Sequence, residues 1–189
     1  SKRKKGDNDL DYDNLVNNAI KGDKEAFSNI IKECEVELYC IAKARLYNET
    51  DVEDAIQETI IHAFKSIKKL KNSKFFKTWL IKILINNCNI IYKEKKCNNT
   101  LIEYQDDIIN KYINIDNNLE FVENGIDFNN MMKVLNYNER IAITLYYTQG
   151  YTNKQIGNIL NVSENTIKAR ISRAKDKIRK LYKEGLIDG

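Results

Sequence analysis

The sequence predicts an all-α protein made of two small helical domains, joined by a flexible acidic linker, with a helix-turn-helix in the C-terminal domain. Three observations carry this. Apolar residues recur at spacings of three and four along most of the chain, and neither strand-type alternation nor a hairpin dipeptide interrupts them. No proline occurs anywhere among 189 residues, so no helix interior is broken from within. Charge is partitioned: residues 1–96 carry a net +4, residues 97–128 carry −6 and residues 129–189 carry +6. Two basic blocks thus flank an acidic one, and a basic C-terminal block fits a polyanionic partner.

The elements follow in order. SKRKKGDND lacks apolar residues, so residues 1–10 are expected to be disordered. A short helix is expected from Asp11 to Gly22. Asp23 then caps a longer one that buries Ala26, Phe27, Ile30, Ile31, Cys34, Leu38, Ile41 and Ala42. The next helix runs from about Asp51 to Ile67, with Val52, Ile56, Ile60, Ala63, Phe64 and Ile67 as its buried stripe. KKLKNSK (68–74) reads as a basic loop. FFKTWLIKILINNCNIIYKEKK (75–96) reads as an apolar helix with a basic tail, closing a first domain of residues 11–96. Residues 97–120 turn rich in Asn and Asp and read as linker. A second domain, 121–189, opens with helices near 121–135 and 138–149, and Gly150 suits the C-cap that follows them.

Residues 151–182, YTNKQIGNILNVSENTIKARISRAKDKIRKLY, have the layout of a helix-turn-helix. Thr152 caps a short helix carrying Ile156, Ile159 and Leu160. Asn161 and Val162 make the turn, and Ser163 caps the second helix. There Ile167, Ile171, Ala174, Ile178 and Leu181 form one apolar face. The opposite face carries Asn165, Ala169, Ser172 and Arg173, flanked by Lys168 and Arg170. A helix that is apolar behind and basic in front, with a small residue at its centre, can approach base edges closely.

Composition narrows the function classes. With 42% hydrophobic and 31% charged residues the chain is that of a folded, water-soluble protein, and no apolar run reaches membrane-spanning length. Membrane insertion is not expected, and a cytoplasmic location is. The four cysteines Cys34, Cys40, Cys88 and Cys97 show no C-x-x-C spacing, and His62 is the sole histidine. That pattern supports neither a metal site nor thiol–histidine catalysis. No catalytic residue, metal or cofactor is expected, and the protein is read as a non-enzyme.

Two further stretches carry chemistry. In DVEDAIQET (51–59) the burial of Val52 and Ile56 turns Asp51, Asp54, Gln57, Glu58 and, beyond it, Ile61 outward. This acidic, partly apolar surface suits a basic protein partner. Further along, Lys68, Lys69, Lys71 and Lys74 precede Phe75, Phe76 and Trp79, and Lys82, Asn86, Asn89, Lys93, Lys95 and Lys96 continue the pattern. Basic side chains track a nucleic-acid backbone, while amides and aromatics bond or stack on unpaired bases. Trp79 and most of the apolar residues are expected in the core.

These stretches, taken in order, resemble the bacterial RNA polymerase sigma factors of the extracytoplasmic-function (ECF) type, the smallest members of the sigma-70 family. DVEDAIQETIIHAF (51–64) resembles the family's core-polymerase-binding helix. Residues 75–96 resemble the helix that melts and reads the downstream promoter element. LNYNERIAITLYYTQGYTNKQIGNILNVSENTIKARISRAKDKIRKL (135–181) resembles the upstream-element-reading domain. The resemblance implies a sigma subunit that binds core RNA polymerase and promoter DNA, directs initiation without catalysing a bond change, and is restrained by an anti-sigma factor. It places Asp51, Asp54, Gln57, Glu58 and Ile61 on the polymerase-binding surface. It places Asn72, Ser73, Lys74 and Phe75 in a loop that holds a flipped base, with Lys82, Asn86, Lys93, Lys95 and Lys96 along the helix that follows. In the upstream reader, Lys168, Ala169, Ser172 and Arg173 face the bases, Asn165 lies on the same DNA-binding face, and Thr166 and Arg170 act as phosphate contacts or intramolecular anchors. The chain departs from the pattern in two ways: NYNER stands where a proline is usual, and lysines replace frequent arginines in the downstream reader, keeping charge without bidentate geometry.

Two other readings are an activator with a helix-turn-helix that is not a polymerase subunit, and a sigma-like protein that sequesters polymerase or an anti-sigma factor. The charge pattern adds one expectation. The linker's Glu103, Asp106, Asp107, Asp116, Glu120 and Glu123 lie against Lys168, Arg170, Arg173 and Lys175 in the free chain and compete with DNA.

Overall fold

The computed structural model describes residues 5–46, 48–98, 132 and 134–185. The linker and its carboxylates, and nearly all of the helix expected at 121–135, lie outside the described residues. Every regular element among the described residues is helical.

Four helices build the N-terminal module: α1 (Lys5–Lys21), α2 (Lys24–Arg45), α3 (Glu49–Ser66) and α4 (Phe76–Asn98). The backbone of α1 is already helical at residues 5–9, where composition predicts disorder. Extending an existing helix adds one hydrogen bond per residue and avoids the cost of a new nucleus. Asp23 caps α2 by accepting from the Glu25 and Ala26 amides at 2.9 and 3.1 Å. α3 and α4 run antiparallel, and Phe76, Leu80, Ile81, Leu84 and Cys88 of α4 fill the centre of the core.

The buried line of α3 differs from the one expected. Val52, Ala55, Thr59 and Ala63 are buried; Ile56 and Ile60 are half-buried and Phe64 is exposed. Small side chains let α3 approach its neighbours closely, so the bulkier isoleucines move to the flanks. Thr59 tolerates burial because its hydroxyl donates to the Ala55 carbonyl at 2.6 Å and accepts from Asn87 Nδ2 at 3.0 Å. Phe64 still covers the edge of Phe27, ring centroids 5.2 Å apart. The basic stretch after α3 is not featureless. It forms two 3-10 turns, Ile67–Lys69 and Ser73–Phe75.

The C-terminal module comprises α5 (Tyr137–Ile143), a π-helical turn (Thr144–Thr148), α6 (Asn153–Leu160) and α7 (Glu164–Gly185). The single helix expected at 138–149 is thus α5 plus the π turn. Where a proline would set the start of α5, a capping box does so. Asn136 accepts from the Asn138 and Glu139 amides, and Glu139 accepts from the Asn136 amide at 3.0 Å. The same Glu139 carboxylate, 2% exposed, also accepts from Lys177 Nζ of α7 at 2.8 Å. Gly150 takes φ +70° between the π turn and α6. Thr152 and Gln155 form the capping box of α6, and Asn161 closes that helix in the left-handed region at φ 55°. Ser163 Oγ accepts from the Thr166 amide at 3.1 Å and starts α7. Gly157 packs under this turn, its carbonyl accepting from the Val162 amide at 3.0 Å.

The two modules touch. α2 and α4 pack against α5 and α6, and one continuous apolar cluster runs from Val16 to Ala174. No periodicity or spacing within either module announces this contact.

Candidate nucleic-acid and protein interfaces

The outer side of α3 presents Asp54, Gln57 and Glu58 to solvent, with Ile61 half-buried. They line a groove of about 380 Å³ between α3 and α4, closed on its other side by Asn87, Ile90, Ile91 and Glu94. His62 sits at the rim, its Nε2 3.9 Å from Glu58. Three carboxylates and an exposed Ile90 therefore face one cleft, which suits a segment that is both basic and apolar. The contribution of α4 was missed in the sequence because Ile90 and Glu94 sit in a run that reads as core and tail. Asp51 departs from its expected place: its side chain is 13% exposed and ion-pairs at 2.6 Å with Lys95. The start of α3 lies against the end of α4, so two residues expected on different binding surfaces hold each other.

The loop before α4 is ordered by its own backbone. Asn72 Oδ1 accepts from the Lys74 amide at 3.0 Å and caps the second 3-10 turn. Lys74 is exposed, Ser73 half-buried, and Phe75 is 61% exposed while its neighbour Phe76 is fully buried. Trp79 packs on Phe76, as the core reading expected. Lys82, Asn86 and Lys93 are exposed. At about 3.6 residues per turn they share one line along α4. Lys95 falls roughly opposite Asn86 on that wheel, toward Asp51. The side chain of Lys96 lies outside the described residues. Asn89, about 60° around the helix from Asn86, is half-buried against the C-terminal module.

On α7 the outer face is open. Asn165, Lys168, Ala169, Ser172 and Arg173 are exposed, and Lys168 pairs with Glu164 one turn back at 2.9 Å. Thr166 is half-buried and bonded to Ser163, which makes it part of the cap. Arg170 is half-buried; burial and then the nearby Arg173 lower its pKa. Among the described residues no cluster of His, Cys, Asp and Glu could hold a metal ion, and no helix is long and apolar enough to cross a membrane.

Residues 30–94 match the family model for sigma-70 region 2, and residues 127–178 match that for sigma-70 region 4. The chain is 31% identical over 139 residues to the ECF RNA polymerase sigma factor SigM of Bacillus subtilis, covering 72% of this chain and 82% of that one. The chain is an ECF-type sigma factor of the sigma-70 family. Its fold is shared with solved sigma-factor structures. CnrH, in complex with the cytosolic domain of CnrY, superposes with a TM-score of 0.66 at 20% identity, covering 92% of this chain and 97% of that one. The sigma factor RpoE of Bartonella quintana, in complex with the anti-sigma factor NepR, gives 0.63 at 20% identity, covering 82% and 97%. In this sigma factor, region 2 runs from Ile30 within α2 to most of α4, and region 4 contains α5, α6 and the first two-thirds of α7.

Proposed function

We propose that this sigma factor docks on core RNA polymerase through the α3–α4 groove, reads an upstream element with α7, and engages unpaired bases with the loop at Asn72–Phe75 and the Lys82–Asn86–Lys93 line. Domain boundaries at 11–96 and 121–189 enclose the two family-matched segments. The observation that carries the reading is the separation of chemistries on one chain: an acidic, apolar groove on one module and an exposed basic recognition helix on the other. Carboxylates near DNA phosphates are repelled, so the groove takes a protein, and α7 takes nucleic acid. Asp54, Gln57, Glu58 and Ile61 are the docking residues; Asp51 supports them by holding α4 through Lys95. Asn165, Lys168, Ala169, Ser172 and Arg173 face the bases, with Arg170 and Thr166 as anchors.

The protein supplies specificity, and the polymerase supplies catalysis. It acts in the cytoplasm, where polymerase and promoters are. An anti-sigma factor is its expected regulator, since a structural relative is captured with one. Run-off transcription with purified core polymerase on the source genome's promoter regions tests the whole reading. A transcript that requires this chain supports it. Duplex binding by the free chain without any transcript favours an activator that is not a polymerase subunit. Core binding without promoter opening favours a sequestering protein.

A further inference from the structure

The end of the N-terminal module where α1 turns into α2 carries a surface that neither interface above uses. Phe64, in the last turn of α3, is 47% exposed. Its ring makes an edge-to-face contact with Phe27 of α2, planes inclined by 68°, and the remainder stays in solvent. Ile60, one turn back, is half-buried beside it. A phenyl ring left half in water forgoes part of its burial energy, so its open face is available to a partner.

Lysines surround this ring. Lys65 follows it directly, Lys68 lies four residues beyond, and both are exposed. Lys24 stands one turn before Phe27 on α2 and is exposed as well. An ideal Cβ at Gly22 would lie 3.5 Å from Lys68 Cε and 3.6 Å from its Nζ, so the Lys68 ammonium rests against the α1–α2 turn, two residues from Lys24. The Asp23 carboxylate in that turn is committed to the Glu25 and Ala26 amides. Lys24, Lys65 and Lys68 form no ion pair among the described residues, whereas Lys43, Lys95, Lys168 and Lys177 each hold a carboxylate.

From Lys65 the chain runs to Lys77 without an acidic residue, and Phe75, 61% exposed, lies near its far end between Lys74 and Lys77. Each end of the stretch thus offers an exposed phenyl ring bracketed by lysines. A single strand uses this alternation, with phosphates on the cations and a base stacked on each ring, while a duplex offers no base face. An acidic protein segment matches the charge alone, and the stretch ends in the loop already assigned to unpaired bases.

We propose that Phe64, with Lys24, Lys65 and Lys68 around it, is a second stacking platform, which takes one base of the unpaired strand beyond the Asn72–Phe75 loop and holds the adjoining phosphates without regard to sequence. The platform rests on the proposed function for the strand that reaches it. It adds a sequence-tolerant grip to the reading of bases by the loop and α4.

The test uses the full chain and a thymine strand of about twelve nucleotides, long enough for several bases to bind at once. Lys24→Gln, Lys65→Gln and Lys68→Gln together are expected to reduce the slope of log affinity against log salt by about 2, at roughly 0.7 per phosphate on a single strand. Phe64→Leu keeps an apolar cover on Phe27 but loses the flat ring; affinity should fall roughly fivefold at every salt concentration, the low end for a lost base stack. Independently of any variant, the wild-type chain irradiated with a strand carrying 5-iodouracil should crosslink at Phe64 as well as at Phe75. An unchanged salt slope overturns the phosphate contacts. Unchanged affinity of Phe64→Leu, or crosslinking that omits Phe64, overturns the platform. Equal affinity for a duplex of the same length, with the same dependence on these residues, overturns the choice of a single strand. If slope, affinity and crosslink come out as expected while the wild-type chain yields no transcript with core polymerase, the platform stands and the proposed function fails.

Discussion

A methyl group at Gly157 has no space to occupy. An ideal Cβ there lies 2.8 Å from the Val162 carbonyl oxygen and 3.5 Å from the Glu164 nitrogen. Both are backbone atoms of the turn between α6 and α7, so no side-chain rotation relieves the overlap. Helix propensity alone favours Gly157→Ala by about 1 kcal/mol. Against that, ordinary contact requires the turn to retreat by roughly half an ångström, and such overpacking costs about 1–3 kcal/mol. The retreat also stretches the 3.0 Å bond from the Val162 amide to the Gly157 carbonyl, worth about 1 kcal/mol. The expected net loss is about 1–3 kcal/mol, or a five- to 150-fold rise in local opening. Amide exchange reads this directly. Protection at Val162 falls, protection at Leu80 in the N-terminal core holds, and affinity for an upstream-element duplex drops because α6 no longer sets the angle of α7. Wild-type protection at Val162 with unchanged duplex affinity would refute the close-packing argument.

Four other expectations follow from the same geometry. Asp54→Lys with Glu58→Lys reverses two charges in the α3–α4 groove without entering the core; core-polymerase affinity falls while the circular dichroism spectrum is kept, and unchanged affinity removes the groove from the interface. Arg173→Ala lowers discrimination among single-base variants of the upstream element by about 1–3 kcal/mol if it reads a base; a uniform loss with a flatter salt slope instead assigns it to a phosphate. Asn86→Ala combined with changes at Asn72 and Lys74 leaves the closed promoter complex intact and slows opening, as permanganate reactivity of unpaired thymines reports; normal opening removes these three side chains from the contact with the unpaired base. Thr59→Val deprives the buried Asn87 amide of its acceptor and lowers stability by about 1–3 kcal/mol in urea unfolding, whereas no loss means that water replaces the bond.

What the sequence reveals is local. Asp23, Thr152 and Ser163 announce helix starts through their own hydroxyl or carboxylate, and the structure uses all three. The apolar and basic faces of α7 follow from spacing within one helix. What stays hidden depends on neighbours. On α3, Ile56 and Ile60 make as good a stripe as Ala55 and Thr59, and only the closeness of the packed helices selects the smaller pair. Thr59 conceals its polarity by bonding to its own helix and to Asn87, 28 residues away. Asp51 and Lys95 look like two surface charges until α3 and α4 are laid antiparallel. The contact between the modules is hidden most completely, because Arg45 and Tyr137 reach Asn89 from 44 and 48 residues away.

The cap that opens α5 also works as a fulcrum. Asn136 and Glu139 fix the position of Tyr137, and Glu139 grips Lys177 on α7. From Lys177 back to Asn165 is twelve residues, about 18 Å of rigid helix at 1.5 Å per residue. Anything that tilts α5 by roughly 10° about this cap therefore sweeps the base-reading end of α7 through about 3 Å, close to the 3.4 Å step of B-form DNA. A regulator that grasped only the Tyr137 end would have leverage over which base pair the other end meets.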